Sequence, residues 1–528
     1  MSLLGIDVGT TGCKAAVFSE EGRLLASAYE EHDIQRPGPG WAELDAVEVW
    51  AKVKRMISQV VSSSASDPVK ALAVSSLGEA TVAVTEDRRM LAPSILNFDV
   101  RGEEYLESLS SALTNERLYR INGNTLGNHY GLTKLWWIKE HQPRLYERAH
   151  KFLLWGSFIS FMLGAELMVD YSLANRTLLF DLDREAWSDE LLGLAGLDRS
   201  KLPDTAPSGT IIGRVSERVA GELGLLSNVS IVTGAHDQCA NAVGCGVIEE
   251  GHAVYGMGTF ICITPVFSQR REPAVMIERG LNTEHHAVPG KYVSFIYNQG
   301  GSLVKWFRDT FAAAEHRQAE DMGRDVYPDL FTEIPAGPSG IMVLPHFTTT
   351  GPPEFISDSS GVMAGLRLET SRGDILKGIL EGTTFYLKEC VESLPPTGIE
   401  IADFRAVGGG SKSDAWIQLC ADIMGRPFVR PRITEAGALG AAIMAGVGSG
   451  VFPSYEAGVE AMVSLERTFE PEPQQQKLYE SWFEKYRKLW PLMKEYLRDL
   501  ASFASLRTGL SRAESSEQRK EDISNGIS

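Results

Sequence analysis

The sequence predicts an α/β fold in two large domains, and three observations carry that expectation. The chain has 528 residues, too many for one compact core. Short apolar runs such as Ala71 to Ser75 and Val229 to Thr233 alternate with helical stretches such as Leu132 to Glu140, as strands and helices do in a layered α/β structure. The run AVYGMGTFICITPVF at 253–267 echoes LGIDVGTTGCKAAVF at 4–18, with a Gly-Thr pair (9–10, 258–259) followed at the same offset by a Val-Phe pair (17–18, 266–267). A duplicated unit whose copies each fill a domain has this signature.

Composition narrows the class. With 43% hydrophobic and 23% charged residues, this is an ordinary globular chain. A net charge of −18 argues against a nucleic-acid or anionic-membrane binder, although backbone N–H groups and a few lysines can still hold phosphate locally. The first apolar run, Leu3-Leu4-Gly5-Ile6, has no basic leader before it, so no signal peptide is expected. Phe152 to Leu163 is the longest apolar stretch; it carries Ser157 and Ser160 and is too short to span a bilayer. Cys13, Cys239, Cys245, Cys262, Cys390 and Cys420 form no CxxC pair, which suits free thiols in a reducing cytosol. The expected location is cytoplasmic.

Along the chain, residues 3 to 8 read as a buried strand, Gly9 to Gly12 as a tight turn and Lys14 to Phe18 as the returning strand. The result is a hairpin with an acid at the end of its first strand, unlike the strand-turn-helix of a Rossmann or Walker loop. A second cycle starts near Gly251. From about Gln474 to Phe503, Leu478, Trp482, Tyr486, Leu489, Met493 and Leu497 recur at helical spacing, with Pro491 set to kink or split the helix. Beyond Leu506 the chain is polar and aperiodic, as disordered tails are.

Three motifs could carry chemistry. In Asp7-Val8-Gly9-Thr10-Thr11-Gly12-Cys13-Lys14 the glycines let backbone N–H groups approach phosphate oxygens, Thr10, Thr11 and Lys14 add donors, and Asp7 is placed to hold Mg²⁺ through water; a plain hairpin turn is the alternative. In Thr233-Gly234-Ala235-His236-Asp237-Gln238, Asp237 stands where a buried strand meets a small-residue helix, fit either to act on a bound hydroxyl or to cap the helix. In Gly408-Gly409-Gly410-Ser411-Lys412-Ser413, three glycines at a strand end admit a flat ring against bare backbone. The small-residue helix Glu435-Ala436-Gly437-Ala438-Leu439-Gly440-Ala441-Ala442 reads as close helix packing alone.

In this order and spacing, DxGTTxxK, GAHDQ, GxGT, GGGSxSxxWxQxxADxxGxP and EAGALGAA resemble the FGGY carbohydrate kinase family, xylulose and glycerol kinases included, over residues 1 to about 450. The resemblance implies two ribonuclease-H-like (actin/hexokinase-type) domains with the active site in the cleft between them, and ATP and Mg²⁺ as cofactors. It places the sugar-binding domain at 1–249 and the ATP-binding domain at 250–450; the periodicity and composition beyond them give a helical extension at 451–505 and a disordered tail at 506–528. It implies Asp237 as the catalytic base and Asp7 for Mg²⁺. Gly9, Thr10, Thr11, Lys14, Gly258 and Thr259 would serve the phosphates, and Gly409, Gly410 and Ser413 the adenosine.

Candidate sugar contacts are Glu79, Asp99, Arg101, His129, Tyr130 and Gln238. The substrate side departs from both relatives. SILNFDVR (94–101) has Asn97-Phe98 where xylulose kinases usually have Trp-Asn, and Ser76-Leu77-Gly78-Glu79 stands for their Gln-Met-His-Gly. Glycerol kinases share a Glu at Glu79 but have Arg at Gly78. Glu79 favours a neutral ketose or polyol over an aldonate, unless Arg101 pairs with it and cancels its charge. The expected function is ATP-dependent phosphorylation of a small sugar or polyol, with a ketopentose such as xylulose favoured. Glycerol, another polyol or an aldonate is the alternative acceptor, and an actin-fold ATP-driven switch protein the alternative class. The expected partner is that small molecule, with neither nucleic acid nor membrane, and a homodimer stays open.

Overall fold

The computed structural model of the protein describes residues 1–501. Two sheets organise it. The first runs, in spatial order, Ile211–Arg214, Ser230–His236, Val69–Ser76, Ser2–Val8, Gly12–Ser19, Leu24–Glu31. Ser2–Val8 is antiparallel to Gly12–Ser19 and parallel to Val69–Ser76, which is in turn parallel to Ser230–His236. Strands covered on both faces read as continuous apolar runs, and six of the seven residues of Ser2–Val8 are buried. One face is covered by the helix Ala46–Ser63, which turns Val49, Trp50, Val53, Met56, Ile57 and Val60 inward. Its start is fixed by Asp45, whose side chain accepts from the N–H groups of Val47 and Glu48.

The second sheet repeats the pattern. Gly251–Met257 and Phe260–Phe267 form an antiparallel hairpin matching Ser2–Val8 and Gly12–Ser19, and Gly251–Met257 lies parallel to Ile401–Val407 as Ser2–Val8 does to Val69–Ser76. The sheet continues through Phe428–Pro431 to Leu465–Phe469 on one side and through Tyr292–Val293 to Glu284–His285 on the other. The duplicated Gly-Thr turn in the sequence is thus a duplicated hairpin, and the α/β fold of two ribonuclease-H-like domains is present.

The helix Ala436–Gly448, late in the chain, lies on the first sheet. It packs against Ser2–Val8, Val69–Ser76 and the helix Asp237–Gly244. The crossing is so close that a Cβ on Gly5 would stand 1.8 Å from the carbonyl oxygen of Ala438, and one on Gly440 would stand 1.9 Å from that of Ala240. Only small residues fit there, which accounts for the Gly/Ala-rich sequence as packing.

Past residue 450 the expectation of a purely helical extension needs correction. Leu465–Phe469 is an edge strand of the second sheet, antiparallel to Phe428–Pro431. The helix Pro473–Tyr486 follows and buries Tyr479, Phe483 and Tyr486 in the second core. Helix resumes at 489 after a break at 487–488, so Pro491 falls in a first turn, where its missing N–H costs nothing. The tail at 506–528 lies outside the described residues. Among the described residues, no helix is long and apolar enough to cross a membrane. All six cysteines are free.

Candidate active site

Three parallel strands of the first sheet end side by side. Asp7 is in register with Ser75, and Ser75 with Ala235; one residue on, Val8 faces Ser76 and Ser76 faces His236. The carboxyl ends of the strands therefore deliver Asp7, Glu79 and Asp237 to one edge of the sheet, the place where open α/β sheets bind ligands.

Asp237 is the first residue of the helix Asp237–Gly244, and the cap position belongs to His236, which makes no side-chain capping bond. The helix-cap alternative is thereby removed for Asp237. Its side chain is 29% exposed and lies 3.2 Å from Nε2 of His236. Burial, reinforced by the negative charges of Asp7 and Glu79, pushes the Asp237 carboxyl up to about 7. His236 is held neutral by burial and by Arg176. Asp7 accepts from Oγ of Ser75 at 2.7 Å, and its carboxyl is also raised by burial.

The first glycine turn is braced from behind by His32, whose Nε2 lies 3.1 Å from the carbonyl oxygens of both Gly9 and Thr10. Burial lowers the His32 pKa, so the neutral ring gives its one Nε2 proton to this pair. Thr11 is exposed at the tip of the turn. Lys14, on the returning strand, reaches Glu435 at 3.4 Å.

In the second sheet, Gly258 and Thr259 at the hairpin turn and Gly409, Gly410 and Ser413 after Ile401–Val407 line one cavity of about 580 Å³. A Cβ on Gly409 would meet nothing within 4 Å, whereas one on Gly410 would stand 2.6 Å from the Trp416 ring. Ser413 also caps the helix Asp414–Met424. Lys305, Tyr327, Phe331 and Trp416 also line the wall; Nε1 of Trp416 is buried without a hydrogen-bond partner among the described residues. Of these four, only Trp416 lay in a motif. The other three come from helices in a region that carries no sequence signature of its own.

The sugar candidates divide. Tyr130 has the His129 ring tilted against it at 4.0 Å on one side and the Arg176 guanidinium at 5.0 Å on another. Glu79 is buried and paired with Arg176, not with Arg101. Gln238, partly exposed, follows Asp237 on its helix. Asp99 and Arg101 stand apart. Both oxygens of Asp99 accept from Arg101 and Oδ2 also from the N–H of Ala42, while Arg101 reaches Glu43 at 2.7 Å and lies 4.1 Å from the Trp41 ring. Their polar atoms are consumed within the fold. Arg176 and Glu284, which belong to the Glu79 cluster, lie in no motif, so the sequence offered no route to them.

The arrangement provides a carboxylate of raised pKa at a strand end, a glycine turn in each of two matching hairpins, and a cavity of nucleotide size beside one of them. Residues 2–244 match the N-terminal domain, and residues 267–449 the C-terminal domain, of the FGGY family of carbohydrate kinases. The chain is similar to a xylulose kinase of Staphylococcus epidermidis, 27% identical over 508 residues that cover 95% of this chain and 99% of that one. It is also similar to a glycerol kinase of Shewanella piezotolerans, 29% identical and covering 91% and 98%. The crystal structure of a xylulose kinase from Rhodospirillum rubrum superposes with a TM-score of 0.82 at 24% identity, covering 94% of this chain and all of the other. Both halves of the sequence match in order: the chain belongs to the FGGY family of carbohydrate kinases.

Proposed function

We propose that this kinase transfers the γ-phosphoryl group of ATP to a hydroxyl of a ketopentose such as xylulose, with Asp237 as the base. The observation that carries the reading is the Asp237 carboxyl, raised to about 7 at the edge where the three parallel strands end. A raised carboxyl pKa brings the base toward neutral pH, where available carboxylate is balanced against basicity. Asp237 accepts a hydrogen bond from the acceptor hydroxyl and takes its proton as the oxygen bonds to phosphorus; ADP leaves with the electron pair of the broken bond. The transition state of such a transfer is loose, so most of the acceleration comes from positioning and charge neutralisation.

Gly9, Thr10, Thr11 and Lys14 on one hairpin, and Gly258 and Thr259 on its counterpart, hold the phosphates in this reading. Gly409, Gly410 and Ser413 border the adenosine in the cavity of about 580 Å³. The acids at the strand edge also suit a hydrated divalent cation, which takes one or two carboxylates and keeps most of its water. Asp7 would hold Mg²⁺, which neutralises charge on the phosphoryl oxygens when bound. Residues 1–249 then supply the acceptor side and residues 250–450 the nucleotide side. Similarity to xylulose kinases along nearly the whole chain supports the acceptor.

The test is a coupled assay of ADP release with the purified chain across ketopentoses, polyols, glycerol and aldonates. Highest kcat/KM on a ketopentose supports the reading. A clear preference for glycerol or an aldonate replaces the acceptor, and phosphorylation of none of them removes the carbohydrate acceptor altogether.

A further inference from the structure

Glu79 occupies an unusual position. Its φ is 63°, in the left-handed region that non-glycine residues seldom enter, and its side chain is only 5% exposed. What holds it there is Arg176, which follows the short helix Tyr171–Asn175. Nε of Arg176 donates to Oε1 of Glu79 at 2.8 Å and Nη2 donates to the same oxygen, while Nη1 donates to Oε1 of Glu284. The stem of Arg176 fills the space that Gly78 leaves: a Cβ there would lie 2.9 Å from Cγ of Arg176. The rings of Tyr130 and Phe295 flank the guanidinium at 5.0 and 5.6 Å.

Glu284 comes from the second sheet and is 1% exposed. Asn282 donates to its Oε1 at 2.6 Å, and its Oε2 is buried without a hydrogen-bond partner among the described residues. Two carboxylates thus share one guanidinium. Of the other titratable groups at this edge, Asp7 and Asp237 are acids, His236 is held neutral, and the lysine of the first turn is engaged by Glu435.

An arginine with a free fork is the best side-chain receptor for a carboxylate, because two parallel N–H donors match its two oxygens. We propose that Glu284, acting through Arg176, is a positioning residue that sets the acceptor class: its negative charge at Nη1 cancels the cation that a sugar acid would need and leaves Glu79 to receive the hydroxyls of a neutral polyhydroxylated acceptor. Specificity here comes from a built-in repulsion as much as from an attraction. A carboxylated acceptor would meet a triad of net charge −1 with no cation to spare. This inference rests on the reading of the strand edge as the carbohydrate acceptor site.

The experiment measures kcat/KM for a neutral ketopentose and an aldonate in the wild type, Glu284→Gln and Glu284→Asp, with melting curves for each. Glu284→Gln keeps the size and the Oε1 acceptor but removes the charge, and its aldonate-to-ketopentose ratio should rise about tenfold or more while the KM for ATP stays unchanged. Glu284→Asp, which keeps the charge, should retain the wild-type ratio. Independently of any variant, the aldonate should fail to compete with the neutral acceptor on the wild type. An unchanged ratio in folded Glu284→Gln, or tight competition by the aldonate on the wild type, overturns the inference while leaving the kinase reading intact. Absence of phosphorylation of every acceptor overturns the acceptor-site reading and the inference with it.

Discussion

A Cβ on Gly437 would stand 2.9 Å from Oδ2 of Asp7. The helix Ala436–Gly448 passes the carboxylate with no side chain between them, so the Gly/Ala-rich helix that packs the two halves together also fixes the room available to Asp7. Gly437→Ala is therefore expected to push the Asp7 carboxylate aside. If Asp7 holds Mg²⁺, the concentration of Mg²⁺ for half-maximal velocity rises several-fold, with a smaller change in the KM for the acceptor; a magnesium titration of the variant checks this. An unaltered Mg²⁺ requirement would separate Asp7 from the metal.

Asp237→Asn is expected to retain binding of ATP and acceptor and to lose at least about two orders of magnitude in kcat, the usual scale of a lost general base. The same change has a stability signature. Folding raises the Asp237 pKa from 3.8 to about 7, so between those values the folded state binds more protons than the unfolded one, and stability falls as pH rises through that window. Asparagine carries no such penalty. The Tm of Asp237→Asn should exceed that of the wild type by a margin that grows from pH 4 to pH 7 and then levels, as thermal melts at several pH values will show.

The pH profile of the wild type follows from the same group. The base works as carboxylate, so kcat/KM should climb about tenfold per pH unit below about 7 and flatten above it. An acid limb centred near pH 4 instead would mean that Asp237 is not the titrating base of the free enzyme.

At the triglycine, the two neighbours respond differently. Gly409→Val extends into open space and should fold normally, raising the KM for ATP while leaving that for the acceptor nearly unchanged. Gly410→Val meets the Trp416 ring and the Cβ of Met257 and should lower stability by about 1–3 kcal/mol. Steady-state kinetics on the first and denaturant unfolding of the second check the pair. A Gly409→Val effect confined to the acceptor KM would move the nucleotide elsewhere.

The sequence by itself determined the local frame. The apolar run of residues 3 to 8, the glycines at 9 and 12 and the echo at 253–267 dictate two hairpins, because strand periodicity and turn chemistry are properties of neighbouring residues. Asp237 was likewise legible as the residue at which a buried strand becomes a helix, with its role as cap or base left open by local pattern. The tertiary structure decided what depends on distant partners. His236 takes the cap position, and the charges of Asp7 and Glu79 raise Asp237 from 230 and 158 residues away in the chain. Glu79 finds its cation in Arg176 and not in Arg101, since Arg101 is already consumed by Asp99 and Glu43. Glu284 joins them from the other sheet. Charge pairing and desolvation act through space, and no window along the chain contains the groups that set them.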